Sequence, residues 1–187
     1  MLFHPTGLAG AYLIEPERRG DHRGFFARIF CEREFLAHDL VTNFVQANNS
    51  LTGQQGTLRG MHYQLAPHAE TKLVRCVRGA LWDCIVDLRS DSSTFGQWFG
   101  QELNAENRLM MYVPKGFAHG FLTLSEDAEA IYFVDEFYAP EAERIVRWDD
   151  PKFAINWPSK PVSLSEKDSQ APDFDPAHHL AIETPQQ

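Results

Sequence analysis

The run Ala80-Leu-Trp-Asp-Cys-Ile-Val-Asp-Leu-Arg89 decides the fold class. In an extended chain Trp82, Cys84, Val86 and Leu88 fall on one face, and Asp83, Asp87 and Arg89 on the other, as in a half-buried β-strand. The pattern recurs on either side of it. Residues 109–113 and 117–124 read as strands around a turn at Pro114 and Gly116, and residues 129–138 as another. Short alternating runs broken by Gly, Pro, Asp and Ser predict an all-β sandwich or barrel. One short helix is expected over 32–39, with Phe35 and Leu36 toward the core. From Asp149 onward Asp-Pro, Trp-Pro, Lys-Pro and Ala-Pro pairs predict an irregular strap over the barrel from about Lys152. Residues 178–187 are expected to be disordered, and no internal repeat or low-complexity block occurs.

Bulk composition narrows the function classes. The chain has 187 residues, 43% hydrophobic and 23% charged, so a single domain over 1–187 with one core is the expectation. No apolar run approaches the ~18 residues of a membrane span, and residues 1–10 lack the basic-then-apolar order of a secretory signal, so a cytoplasmic location is expected. Cys31, Cys76 and Cys84 form no Cys-x-x-Cys pair; they are read as packing residues rather than disulfide partners or zinc ligands. A net charge of −9 argues against nucleic acid or an anionic membrane as partner, so an anionic ligand needs a local cluster of Arg and Lys.

One lysine needs a physical explanation. Alternation places Lys72 on the face of Val74 and Cys76, and an unpaired buried ammonium is costly. The face is exposed, with Lys72 guarding a sheet edge, or the lysine has an anionic partner, a ligand oxyanion being one candidate.

Gly56, His62, Gln64, Lys72 and Gly79, set beside Pro114-Lys-Gly-Phe-Ala-His119, resemble the two signature motifs of the cupin family. The resemblance implies a jelly-roll β-barrel with few short helices. Metal-binding cupins bring three His and one Glu onto an ion; here Gln64 and Lys72 stand at two of those positions, and a cation at the Glu position repels a divalent metal. Neither metal nor cofactor is expected. Thr57-Leu-Arg-Gly-Met-His-Tyr-Gln64 and His68-Ala-Glu-Thr-Lys-Leu-Val-Arg75 resemble, more narrowly, the dTDP-4-dehydrorhamnose 3,5-epimerase family. So do Asp21-His-Arg-Gly-Phe-Phe26, Pro114-Lys-Gly-Phe-Ala-His-Gly-Phe121, Arg147-Trp-Asp-Asp-Pro151 and Leu164-Ser-Glu-Lys-Asp168, and the likeness covers nearly the whole chain.

That resemblance implies epimerisation at C3 and C5, beside the C4 ketone of a nucleotide-linked 6-deoxy sugar, within dTDP-rhamnose biosynthesis. It implies His62 as base, Asp168 as the carboxylate orienting it, Lys72 as the cation holding the C4 oxygen, and Tyr132 as the acid on the opposite face. It assigns Arg23, Phe26, Gln46, Asn48, Arg59, His119, Glu143 and Lys167 to binding the sugar nucleotide, with Arg23 reaching across from the neighbouring subunit of a homodimer. Strict alternation puts Arg59 and His62 on opposite faces, so a bulge or bend at Gly60 is expected. Arg28, Ala47, Lys115 and Phe133 depart from the family's commoner Glu, Asp, Glu and Lys. They leave open the nucleotide, the sugar and whether one or two centres invert. Rival readings are a metal-dependent cupin isomerase or dioxygenase using His62 and His119, a single-centre epimerase of another nucleotide sugar, and a sugar-binding module without catalysis.

Overall fold

A computed structural model describes residues 1–180. Thirteen strands and three short helices are formed within them. The strands are β1 Leu2–Pro5, β2 Tyr12–Glu15, β3 Arg19–Asp21, β4 Gly24–Phe26, β5 Gln46–Thr52, β6 Leu58–Gln64, β7 Lys72–Arg78, β8 Ala80–Asp87, β9 Trp98–Asn104, β10 Met110–Val113, β11 Phe117–Thr123, β12 Ala128–Val134 and β13 Glu143–Ile145; the helices are α1 Glu32–Leu36, α2 Glu166–Ser169 and α3 Pro176–His179. β1-β2-β10-β7-β12-β5 form one antiparallel sheet and β13-β6-β11-β8-β9 the other, while β3 and β4 make a separate hairpin. The two sheets face each other as a jelly-roll β-barrel. Its interior is filled by Val74, Cys76, Leu81, Ile85, Met111, Val113 and Phe117 among others.

The outer faces are covered too. Residues Phe153, Ile155, Trp157, Phe174 and Leu180 of the strap pack on Cys84, Val86, Leu88 and Trp82. Phe35 of α1, with Leu40 and Phe44, packs on Leu73, Met110 and Tyr112 outside the other sheet. This overturns the half-buried reading of β8. Its second face carries Leu81 and Ile85 as well as Asp83 and Asp87, and both carboxylates are fully buried in the barrel. They are tolerated because they are bonded: Asp83 to His119, and Asp87 to Arg89, Ser92 and Thr94. Cys76 and Cys84 are buried free thiols and Cys31 is partly buried and also free.

Other boundaries shift for local reasons. Successive helical residues lie about 100° apart; Phe35 takes the core position, Leu36 turns to solvent, and the helix ends there rather than at Asp39, which sits at φ 57°. Leu40 supplies the second apolar anchor, its N–H donating to Phe35 O at 3.0 Å. β12 stops at Val134, not 138: at Asp135 the backbone N–H still donates to Thr71 O at 3.3 Å, but the Thr71 N–H goes to the Asp135 side chain at 2.6 Å. Residues 178–180 are ordered, contrary to expectation: His179 is fully buried, bonded to Ile145 O at 3.1 Å, and stacks on Phe174. The remainder of that expectation, 181–187, lies outside the described residues.

Candidate active site

The decisive local feature is on β6. Against β11, His62 pairs with His119 and Arg59 with Phe121, so Gly60 and Met61 together oppose the single residue Gly120. This is a β-bulge at the expected place, and it turns Arg59 and His62 into the same cavity. Only glycine fits the crossing. Gly60 has φ 128°, and a Cβ there would lie 2.5 Å from Gly120 Cα and 2.9 Å from His119 O.

The cavity has two lobes that share part of their lining. The wider, about 500 Å³, is lined by Arg59, His62, Lys72, His119, Phe121, Tyr132 and Asp168 with Ser50, Ser163 and Ser165. The narrower, about 310 Å³, shares His62, Lys72 and Tyr132 and adds Gln46, Asn48, Gln64, Glu70, Tyr138 and Glu143. His62 comes from the five-stranded sheet, Lys72 and Tyr132 from the six-stranded one, so they stand on facing walls.

Asp168 reaches His62 because the strap is stitched to β6. Leu58 N–H donates to Ser163 O and Val162 N–H to Gly56 O, each at 2.9 Å, and Ser165 caps α2 by accepting the Asp168 N–H at 3.0 Å. His62 Nε2 lies 2.6 Å from Asp168 Oδ1. Burial alone would raise the Asp168 pKa; the hydrogen bond and charge of His62, with Ser165 and the Gly60 N–H, outweigh it and hold the group below the usual carboxylate range. An ionised Asp168 fixes the tautomer in which Nε2 carries hydrogen, leaving Nδ1 as a proton acceptor. His119 has a parallel partner, its Nε2 being 2.8 Å from Asp83 Oδ2, while Asp83 Oδ1 is buried without one.

Lys72 is nearly buried, and its partner in the chain is Glu70, at 3.0 Å. Burial, and then the Glu70 charge, raise the Tyr132 pKa, with Arg59 opposing; the phenol is therefore a proton donor at neutral pH. Arg59 Nε donates to Thr52 Oγ1 at 2.9 Å, and Gln46 Nε2 to Asn48 Oδ1 at 2.9 Å. Glu143 bonds Lys167 and accepts the Tyr138 hydroxyl at 2.9 Å, which places Lys167 at the cleft mouth. Gln64 is committed to backbone: its Nε2 donates to His68 O at 2.9 Å and its Oε1 accepts the Ala139 N–H at 2.6 Å.

Ten of the expected site residues thus gather in or beside one cleft, and two do not. Arg23 and Phe26 lie on the β3-β4 hairpin, both exposed, with Arg23 Nη2 bonded to Asp21 at 2.6 Å. Of the departures from the family pattern, Phe133 packs outside the sheet with Phe44, Lys115 pairs with Asp135 at 3.2 Å, and Arg28 pairs with Glu34 at 3.0 Å. Glu70 and Asp83 escaped the reading of the sequence. Glu70 could have been found from its position two residues before Lys72, on the same face; Asp83 from the apolar Leu81 and Ile85 that flank it at strand spacing. Among the described residues no three His, Cys, Asp or Glu side chains are grouped to hold a metal ion, and no helix is long and apolar enough to cross a membrane.

A family model described as dTDP-4-dehydrorhamnose 3,5-epimerase matches residues 5–176. A dTDP-4-dehydrorhamnose 3,5-epimerase of Sinorhizobium fredii is 47% identical over 175 residues, 93% of this chain and 90% of the relative. The crystal structure of the Elizabethkingia anophelis enzyme of that name superposes with a TM-score of 0.89 at 46% identity, covering 93% of this chain and 96% of that one. A Legionella pneumophila epimerase, solved in complex with dTDP-4-keto-L-rhamnose, gives 0.84 at 41% identity, covering 91% and 90%.

Proposed function

We propose, from the premise that this chain belongs to the dTDP-4-dehydrorhamnose 3,5-epimerase family and is an isomerase of the epimerase class, that it converts dTDP-4-dehydro-6-deoxy-D-glucose to dTDP-4-dehydro-L-rhamnose. The observation carrying the reading is that the carboxylate-bound His62 and the Tyr132 phenol stand on facing walls of one cleft, with Lys72 on the strand beside that of Tyr132.

A proton beside a ketone is weakly acidic, so its removal needs a base and a stabiliser for the enolate oxygen. His62 Nδ1 takes the proton from C3 or C5, and the imidazolium is stabilised by Asp168. The electron pair moves onto the C4 oxygen, which Lys72 holds as its charge grows. Tyr132 then returns a proton to the carbon from the other face, inverting it. Arg59 and His119 are the binding groups on the His62 side, Gln46, Asn48, Glu143 and Lys167 those at the mouth; Arg59 suits a diphosphate through its planar fork of donors. Arg23 and Phe26, remote from their own cleft, serve the cleft of a second subunit in a homodimer.

The test is incubation with dTDP-4-keto-6-deoxyglucose in deuterated water, without added metal, reading C3 and C5 by NMR. Deuterium at both carbons is the expected result. Label at one carbon would replace the double epimerase by a single-centre one, and label at neither would sink the assignment of this substrate.

A further inference from the structure

One carboxylate in the cleft has no part in the reaction as drawn. Glu70 stands two residues before Lys72, its Oε1 lies 3.0 Å from the Lys72 ammonium, and the two side chains are only 14% and 9% exposed. It lines the narrower lobe beside Tyr132. A negative charge at that place is adverse at first sight, because the enolate develops next to it. Two consequences offset this. The ion pair holds one orientation of a four-carbon side chain that otherwise samples many, so the ammonium is already placed when the ketone arrives. The same charge disfavours a phenolate on Tyr132 and so keeps the acid loaded.

We propose that Glu70 is a positioning residue for the acid half of the reaction, anchoring the Lys72 ammonium and setting its own negative charge in the lobe that Tyr132 also lines. The proposal rests on the reading of Tyr132 as the acid. The other charged groups around Tyr132 do not substitute for it. Arg59 acts in the opposite direction, Lys72 is paired with Glu70 itself, Asp168 is engaged by His62, and Glu143 is engaged by Lys167 and Tyr138. His62 and His119, facing from β6 and β11, are each held to a carboxylate of their own.

The experiment is an alkaline titration of the full chain without substrate, following phenolate absorbance. Wild type and Glu70→Gln are each compared with their Tyr132→Phe counterpart, so that the difference isolates one tyrosine of the five. The Tyr132 midpoint is expected to fall by about half a pH unit or more in Glu70→Gln. The alkaline limb of kcat/KM should move down with it, and Glu70→Asp, which keeps the charge, should restore both toward wild type. An unchanged Tyr132 midpoint, or an alkaline limb of kcat/KM that stays in place, overturns the proposal. Glu70→Thr provides the same comparison if the Gln variant does not fold. Because the titration needs no turnover, its failure in an active enzyme removes the role of Glu70 alone, whereas wild type that leaves the keto sugar unlabelled removes the catalytic reading instead.

Discussion

The His62–Asp168 pair is the smallest unit on which the proposed chemistry depends. Asp168 is buried, bonded and ionised, and its effect passes through the imidazole rather than through substrate. Asp168→Asn keeps the volume but exchanges an acceptor for a donor-acceptor amide, freeing the wrong tautomer of His62. We expect kcat to fall by about 10²- to 10⁴-fold with KM nearly unchanged, measured by steady-state kinetics; a loss confined to KM would show that Asp168 only shapes the cleft. At this scale the sequence was informative where a residue type carries an obligation. A strand lysine on an apolar face raised the question of an anionic partner, and the family resemblance supplied Asp168 as the carboxylate for His62. Glu70 and Asp83 were passed over although their spacing from Lys72 and from Leu81 and Ile85 pointed to them, because a carboxylate reads as solvent-facing until something is known to cover it. Both turned out to be the partners that make nearly buried cleft side chains, Lys72 and His119, tolerable.

At the scale of the element, the bulge in β6 decides whether the site exists. Without it, period-2 alternation sends Arg59 and His62 to opposite faces; with it, two residues oppose one and both enter the cavity. Gly60 and Gly120 permit the strands to approach there. Gly60→Ala would drive a methyl group against the Gly120 Cα and the His119 carbonyl, in a φ that side chains rarely adopt. We expect a loss of about 2–4 kcal/mol in urea unfolding, together with lost turnover as His62 and Arg59 shift; undiminished stability would mean that the crossing relaxes freely. The bulge was legible because two motif residues contradicted strict alternation. The double-faced burial of β8 was not, since it depends on a strap arriving from 70 or so residues later, and local periodicity carries no information about such a partner. The end of α1 at Leu36 was hidden for a similar reason: Phe35 and Leu36 are equally apolar, and only the position of Leu40 and the outer sheet face selects between them.

For the whole molecule, the two sheets divide the labour. On the proposed mechanism, one presents the base and the other the cation and the acid, so a planar enolate held between them would be addressed from both faces, which is what inversion of a centre requires. The strap ties the arrangement together, closing the outer face of one sheet with Phe153 and Trp157 while delivering Asp168 to the cleft. Against a net charge of −9, a diphosphate needs local cations; with Lys72 given to the C4 oxygen on the proposed mechanism, Arg59 lines the cleft and Lys167 stands at its mouth. Arg23 is a further candidate, yet it lies exposed on the β3-β4 hairpin and lines neither lobe of the cleft. If Arg23 completes the cleft of a partner, two defective chains should repair each other. A chain carrying His62→Ala retains a sound Arg23, and a chain carrying Arg23→Ala retains a sound His62. In a mixed dimer one cleft then has both, and purified hybrids from co-expression should show about half the wild-type activity per dimer while either parent is nearly inactive. Hybrids no better than the parents would place Arg23 in the service of its own chain, reached by a movement of the hairpin rather than by assembly.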